Sequence, residues 1–452
     1  MATNTSPRGL ITTVVVVLVL FVGGAGLLWW QQSTPLPTAE LDRSVFEVGR
    51  RLEFGLELQA ARGSVRDVQV RILQGDVDAL VFEDSLNTAA GRLDVAFRLE
   101  GHGLREGEAL LEVHAGDDVW RPRGDADTPS ARMPVMIDLT PPRLEIEAAT
   151  RYPRPGGSAI AVLRSRGATE VRVEAGERDY RAYARQELPH QFLALYALPI
   201  DHPADEFPVA VAVDAAGNRA VRELPVVLRA PDVRTGSVDL SHRWLREKLP
   251  VLLPDVDTTD DQALLEGFLY VSRDLRAEAA AERDRLAAAS GPLRQWEGPF
   301  LQLPNSRSTS VFGIRRTYRI DGEGLDTQVH QGYDLASTAR APIPAANTGT
   351  VVHAGPLTLY GETVVLDHGQ GLLTLYGHCS SLDVEIGEQV EKGKIIARTG
   401  ATGLAGGDHL HFEVVVGGQP VTPLQWWDTA WIRDHIEAPL QEAAEGSEGA
   451  GR

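Results

Sequence analysis

The chain has 452 residues, 43% hydrophobic and 24% charged, with a formal net charge of −19. That length exceeds a single domain, and that composition supports packed cores rather than a disordered polymer. The acidic balance leaves no basic patch of the kind nucleic-acid binders need, and the single cysteine, Cys379, excludes an internal disulfide.

Leu10 to Trp30 is uncharged and apolar, long enough to cross a bilayer as a helix. Trp29 and Trp30 close the run with rings that favour the headgroup interface. Arg8 precedes it, so the positive-inside rule puts residues 1–9 in the cytoplasm. A cleaved signal peptide is the competing reading, but the run ends in Trp-Trp-Gln-Gln rather than at a small-x-small site. The expectation is a single-pass anchor, residues 10–30, in the inner (cytoplasmic) membrane, with the rest of the chain periplasmic.

Residues 31–43, with Pro35 and Pro37, read as a stiff linker. Over 44–139 the pattern turns to period two. Val68, Val70 and Ile72 alternate with polar residues, as do Leu93, Val95, Phe97 and Leu99, then Leu111 and Val113. Such runs between Gly and Asp turns predict half-buried antiparallel strands, hence a β-sandwich module. Asp138-Leu-Thr-Pro-Pro142 breaks the chain. A second unit, 140–230, repeats the alternation at Val171 and Val173, then at Val209, Val211 and Val213 before Asp214-Ala-Ala-Gly217-Asn218. That turn and the Asp-x-Thr-Pro-Pro junction resemble bacterial immunoglobulin-like modules. The two units are either spacers or docking sites for a cell-wall or division partner protein.

Residues 231–299 change character and predict a helical connector. A short helix is expected from Ser241 to Lys248, stopped by Pro250. A longer one opens on a Thr259/Gln262 capping box and ends at Gly291-Pro292. Leu264, Phe268, Val271 and Leu275 recur at helical spacing. This stripe needs a partner surface: the second β module, as a brace, or the groove of the domain that follows, as a cover.

The chemistry concentrates in residues 300–430. Six of the 12 histidines fall between His330 and His411. His409 and His411 flank Leu410 in an apolar run that reads as a strand, and residues two apart on a strand share a face. His330 and Asp334 lie four apart across Gly332, on a strand-to-loop passage rather than a helix. Imidazoles and a carboxylate are the donors of zinc sites, and catalytic zinc keeps three protein ligands with one position open.

Phe312-Gly-Ile-Arg315, His330-x-Gly-x-Asp334, Tyr376-Gly-His378 and His409-Leu-His411-Phe412 together resemble the lysostaphin/LytM-type zinc endopeptidases that cut peptidoglycan peptides. The likeness runs from about Ser308 to Trp427 and includes Gly418-Gln-Pro420-Val-Thr-Pro423. It implies an antiparallel β catalytic domain with Zn2+ held by His330, Asp334 and His411. It also implies two catalytic histidines that are not ligands: His409 as general base, and His378 orienting the water or stabilising the oxyanion. Arg315 and Tyr318 are candidates to line the groove and contact substrate. The family's His-Leu-Ser is His378-Cys379-Ser380 here, a smaller apolar residue that removes no catalytic group.

His368, in a Leu-Asp-His-Gly turn, reads as structural and His353 as a surface residue. Gly400 to Gly407 lacks the Lys-Ser/Thr of a phosphate loop and reads as a flexible groove wall. Glu391-Lys-Gly-Lys394 reads as a hairpin turn. After a short helix from Asp428 to Ala438, stopped by Pro439, the tail within 431–452 reads as disordered from Ala443. The whole is a mainly β protein: anchor, two β-sandwich (immunoglobulin-like) modules, helical connector and catalytic domain. The implied function is hydrolysis of peptide cross-links in bacterial peptidoglycan. The alternative is a non-catalytic scaffold that activates a cell-wall amidase.

Overall fold

The uncharged run is a helix, Pro7–Gln32, in a computed structural model that describes residues 7–42, 44, 47–122 and 128–449. Its Val15–Gln32 stretch has a mean hydropathy of 1.7 and none of it is buried. Among the described residues it is the one helix long and apolar enough to cross a membrane. Beyond it strand predominates. The chain divides into two compact units, residues 1–141 with 213–219, and residues 142–212 with 220–452.

In the first unit two sheets share one core. Thr38–Leu41, Arg51–Gln59 and Ala90–Arg98 form one; Glu47–Val48, Val65–Gln74, Val77–Thr88, Gly107–Asp117 and Ala131–Ile137 form the other. The alternating residues behave as their period demands: Val68, Val70, Ile72, Leu111 and Val113 are fully buried, in one core with Phe54 and Phe97 of the other sheet, whose rings meet edge-to-face at 6.4 Å. The expected linker is shorter than its composition suggests, because Thr38–Leu41 pairs with Leu56–Gln59. The turn before it is held by Arg121, which pairs with Asp117 at 2.8 Å and donates to the carbonyls of Thr34 and Pro35.

The second unit is built around one antiparallel sheet with both faces covered. In spatial order its strands are Arg307–Ser310, Tyr333–Ala336, Leu410–Val416, Leu372–Cys379, Glu362–Asp367, Gly349–Pro356 and Gln389–Val390; Gln419–Val421 also pairs with Leu410–Val416. Side chains alternate between two cores. Leu410, Phe412, Val414 and Val416 face a core shared with Ile160, Val162, Leu195 and Tyr196 from the strands of residues 143–223. Leu373, Leu375, Val365 and Val415 face the helices of the connector. Burial on both faces is why Leu410–Val416 is apolar on both sides, with Val414, Val415 and Val416 consecutive and only His411 and Glu413 polar.

That second core settles the partner of the helical stripe. Leu264, Phe268 and Val271 are fully buried against that sheet and Ile320, not against the preceding β strands. Burying three such side chains contributes about 1.5–3 kcal/mol each before entropy costs. The preceding strands attach mainly at the far end of the chain, where Trp426 Nε1 donates to Ser158 Oγ at 3.0 Å and Ser158 N to Gln425 Oε1 at 2.8 Å, and they meet the connector through Arg178, which pairs with Asp284 of its last helix at 2.7 Å.

Three local expectations are corrected. The longer connector helix, Asp261–Tyr270 continued through a π-turn at Val271–Leu275 into Arg276–Ala288, is capped by Asp260, whose carboxylate accepts from Gln262 N; Thr259 instead bonds Asp257. The shorter one runs through Pro250 to Leu252, since a proline in the last turn disrupts only one bond of a helix about to end. Pro439 does not stop the C-terminal helix either. A π-turn, Arg433–Glu437, precedes it, so Pro439 falls in the first turn of Ala438–Gly449, where its missing N–H costs little. Ala443, expected in a disordered tail, is buried there.

His368 is fully buried beneath the sheet, with Nδ1 donating to Thr348 O at 2.7 Å and Nε2 2.8 Å from Thr374 Oγ1. Burial pushes its imidazole down from 6.5 to about 4, against the help of Thr348 O. The unfolded chain therefore binds a proton that the fold refuses. This contribution to stability is complete above pH 6.5, declines as pH falls from 6.5 towards 4, and amounts to roughly 3 kcal/mol. Urea denaturation at pH 7 and pH 4.5 should show a His368→Gln variant losing less stability over that interval than the unmodified chain.

Candidate active site

Strand register assembles the site. Tyr333–Ala336 pairs antiparallel with Leu410–Val416 so that Asp334 lies directly opposite His411, and Leu372–Cys379 on the other side places Gly377 there. Directly opposed residues project to one face. His330 arrives from a neighbouring loop, its N–H on Ile314 O at 2.9 Å. Between them Gly332 passes so close that a Cβ would stand 2.5 Å from Phe412 O and 2.8 Å from His411 Nε2. Only glycine fits there.

The donors converge on one oxygen. Asp334 Oδ1 lies 3.0 Å from His330 Nε2, 2.8 Å from His411 Nδ1 and 3.6 Å from His409 Nε2. The ligand atoms of His330, Asp334 and His411 all lie within 4.8 Å of one another. Each imidazole is oriented from behind. His330 Nδ1 donates to Val311 O at 2.8 Å, and His411 Nε2 donates to Glu413 Oε1 at 2.9 Å. A carbonyl or carboxylate can only accept, so these bonds keep a proton on His330 Nδ1 and His411 Nε2 and turn His330 Nε2 and His411 Nδ1 towards Asp334, where a metal would displace any proton they share with it. Outer partners of this kind are what metal-binding histidines require, and the residues fit a zinc ion. Burial alone would raise the Asp334 carboxyl, yet the three imidazoles hold it far below the usual carboxylate range. Burial opposes charge on His411, but the carboxylates on its two nitrogens reverse the sign and push it up to about 9.

His378 and His409 stand beside this group, their rings 4.9 Å apart. The glycine-rich turn holds both: His378 Nδ1 donates to Thr402 O and His409 Nδ1 to Gly407 O, each at 2.8 Å. In the neutral form both therefore present an unprotonated Nε2. His378 sits in the left-handed region at φ 63°, a strained position that a non-glycine residue holds at a cost of order 1 kcal/mol or more. Burial, then the neighbouring His411 and His409, push its imidazole down to about 3. Cys379 is no nucleophile. It is fully buried, its thiol is pushed up to about 12 by burial and Glu362, and Sγ donates to Tyr376 O.

A pocket of about 380 Å³ opens over these groups, walled by Val238 to Ser241, Trp244, Arg276, Arg316, Tyr318 and Leu404. Tyr318 therefore lines it, its ring 5.3 Å from Phe268. Arg315 does not: it turns towards Asp201 at 3.5 Å, and the adjacent Arg316 reaches in to Asp334 Oδ2 at 3.6 Å. Successive strand residues face opposite ways, so the expectation was displaced by one position. His353 is half-buried, with Nε2 3.2 Å from Gly355 O, and stands apart from the site.

Residues 328–423 match the model of peptidase family M23. The chain carries a peptidase family M23 domain. The lipoprotein NlpD/LppB homolog of Pseudomonas aeruginosa is 42% identical over 99 residues, 22% of this chain and 33% of the relative. The peptidoglycan DD-endopeptidase ShyA of Vibrio cholerae is 35% identical over 119 residues, 26% and 27% of the two chains. The chain thus spans about a quarter to a third of the length of these curated relatives. Among solved structures, the catalytic domain of the antimicrobial peptidase lysostaphin from Staphylococcus simulans is 27% identical, with a TM-score of 0.25, over 29% of this chain and 98% of that one.

Sequence reasoning missed the groups behind the M23 site. Glu413 is fully buried behind His411, Tyr360 Oη donates to it at 2.6 Å, and Arg283 from the connector donates to Tyr360 Oη at 2.8 Å. The signals were present: a carboxylate inside an apolar strand, and an arginine on the helix face that carries Ala279, Leu286 and Ala287. Gly332→Ala should disturb this site without touching a ligand. Its Cβ must displace the Phe412 carbonyl or His411, so the folded variant should bind zinc about 10-fold or more weakly in a chelator competition; unchanged affinity would mean the loop yields freely.

Proposed function

We propose that the chain is a membrane-anchored zinc endopeptidase that hydrolyses peptide cross-links in bacterial peptidoglycan. The convergence of His330 Nε2 and His411 Nδ1 on Asp334 carries this reading. The substrate class is supported by a curated relative of the M23 stretch being a peptidoglycan DD-endopeptidase. His330, Asp334 and His411 would hold the zinc, which when bound lowers the pKa of water and polarises a carbonyl.

The chain's own residues do the rest. A water's proton needs an acceptor, and His409, with 16% of its side chain exposed against deep burial of His378, is the better placed base. His378, kept neutral with Nε2 unprotonated, accepts a hydrogen bond and so orients the water rather than donating to an oxyanion. Arg316 and Arg276 put positive charge at the pocket wall, where negative charge develops on the cleaved carbonyl. The open pocket leaves room for an extended peptide, and the apolar N-terminal helix suits an anchor that keeps the peptidase at the wall-facing side of the inner membrane.

Three measurements test this. The detergent-solubilised chain should retain about one zinc, lost in His411→Ala or Asp334→Ala. His409→Ala should keep zinc while muropeptide release falls about 10²–10⁴-fold. Zinc lost with His409 would make it a ligand; a zinc-loaded chain that releases no muropeptide would favour the amidase-activating scaffold. The intact chain should also sediment with membranes until detergent is added, whereas a soluble chain beginning near Gln31 would identify a cleaved signal.

A further inference from the structure

The helix Arg276–Ala288 lies outside the stretch matched by the M23 family, yet it delivers a charged side chain to the back of the metal-ligand group. Arg283 is 2% exposed. Its Nη1 donates to Tyr360 Oη at 2.8 Å and stands 3.6 Å from Glu413 Oε2; its Nη2 donates to Gln331 Oε1 at 2.8 Å. Gln331 is the neighbour of His330, and Glu413 holds Nε2 of His411. One guanidinium thus reaches both ligand-bearing segments.

We propose that Arg283 is a positioning residue for the metal centre: through Glu413, Tyr360 and Gln331 it fixes His411 and the His330 segment, so that the connector helix is part of the site. The chemistry requires such a cation. A carboxylate with no exposed surface needs a compensating charge, and Glu413 can accept from His411 Nε2 only while it stays in place. Glu413 Oε2 and Arg283 Nε have no hydrogen-bond partner, so the pair is held by charge and by the shared Tyr360 rather than by a bidentate fork. The arrangement also fixes which nitrogen of His411 is bare, because only the Nε2–H tautomer can donate to Glu413. Removing Arg283 would leave that carboxylate free to turn away, and His411 free to rotate.

The inference rests on the zinc reading above, and the test separates the two. Zinc affinity is measured on the detergent-solubilised full chain by chelator competition at one pH, alongside the melting temperature without metal. Arg283→Met should weaken zinc about 10–100-fold, and Arg283→Lys should restore part of it. Combined with Glu413→Gln, Arg283→Met should add little to the loss that Glu413→Gln causes alone, since the arginine acts through that carboxylate. A lower melting temperature with zinc affinity within twofold of the unmodified chain would overturn the proposal, as would losses that simply add. If Arg283→Met fails to fold, Arg283→Lys and the double variant, compared with Glu413→Gln, make the same decision. An unmodified chain that takes up no zinc removes the metal site itself and this inference with it.

Discussion

A single carboxylate oxygen, Oδ1 of Asp334, organises the site, and it does so because two strands pair in one register. Asp334 sits across from His411, and the whole of Leu410–Val416 is buried on both faces. A slip of one residue would send His411 and Glu413 into the apolar core and bring Leu410 and Phe412 towards the pocket. The side chains that fix the register are thus aliphatic and aromatic, while those that use it are polar. Packing and chemistry occupy alternate positions of the same strand.

The same alternation explains why the sheet needs two covers. One face takes the β strands of residues 143–223 and the other takes the helical connector. Neither is an appendage, since each closes a core that would otherwise face water. The connector does more than cover. Its last helix supplies a guanidinium behind the metal-ligand group, and the strand and turn before its first helix wall the pocket. The stretch recognisable as M23 is therefore shorter than the structure that makes its site.

How much of this was legible depends on distance along the chain. The cluster of His330, Asp334 and His411 was readable because His330-x-Gly-x-Asp334 and His409-Leu-His411 are local patterns whose spacing has geometric meaning. The period-two strands of the first unit were readable for the same reason. What failed needed tertiary information. The stripe Leu264, Phe268, Val271 announces that it must be buried but not against what. Arg315 and Arg316 are equally plausible until strand direction is known. Pro250 and Pro439 look like helix stops, but a proline's effect depends on whether the bond it removes lies inside the helix or at its end. Glu413 and Arg283 were each visible as a misplaced charge, and only their encounter in space says that they belong together.

His330 and His411 lie far apart in the chain, and Arg283 precedes both. During synthesis domains fold from the N-terminal end as the chain emerges, so the helices and the β strands of 143–223 are available before the sheet they cover exists. Leu410–Val416, an interior strand of that sheet, is among the last to appear, and it carries His411, which completes the cluster with His330 and Asp334. Long-range pairing of this kind is slow to form. A chain built in that order has no cluster of His330, Asp334 and His411 until Leu410–Val416 has been made, so whatever those three side chains do together is closed to the growing chain.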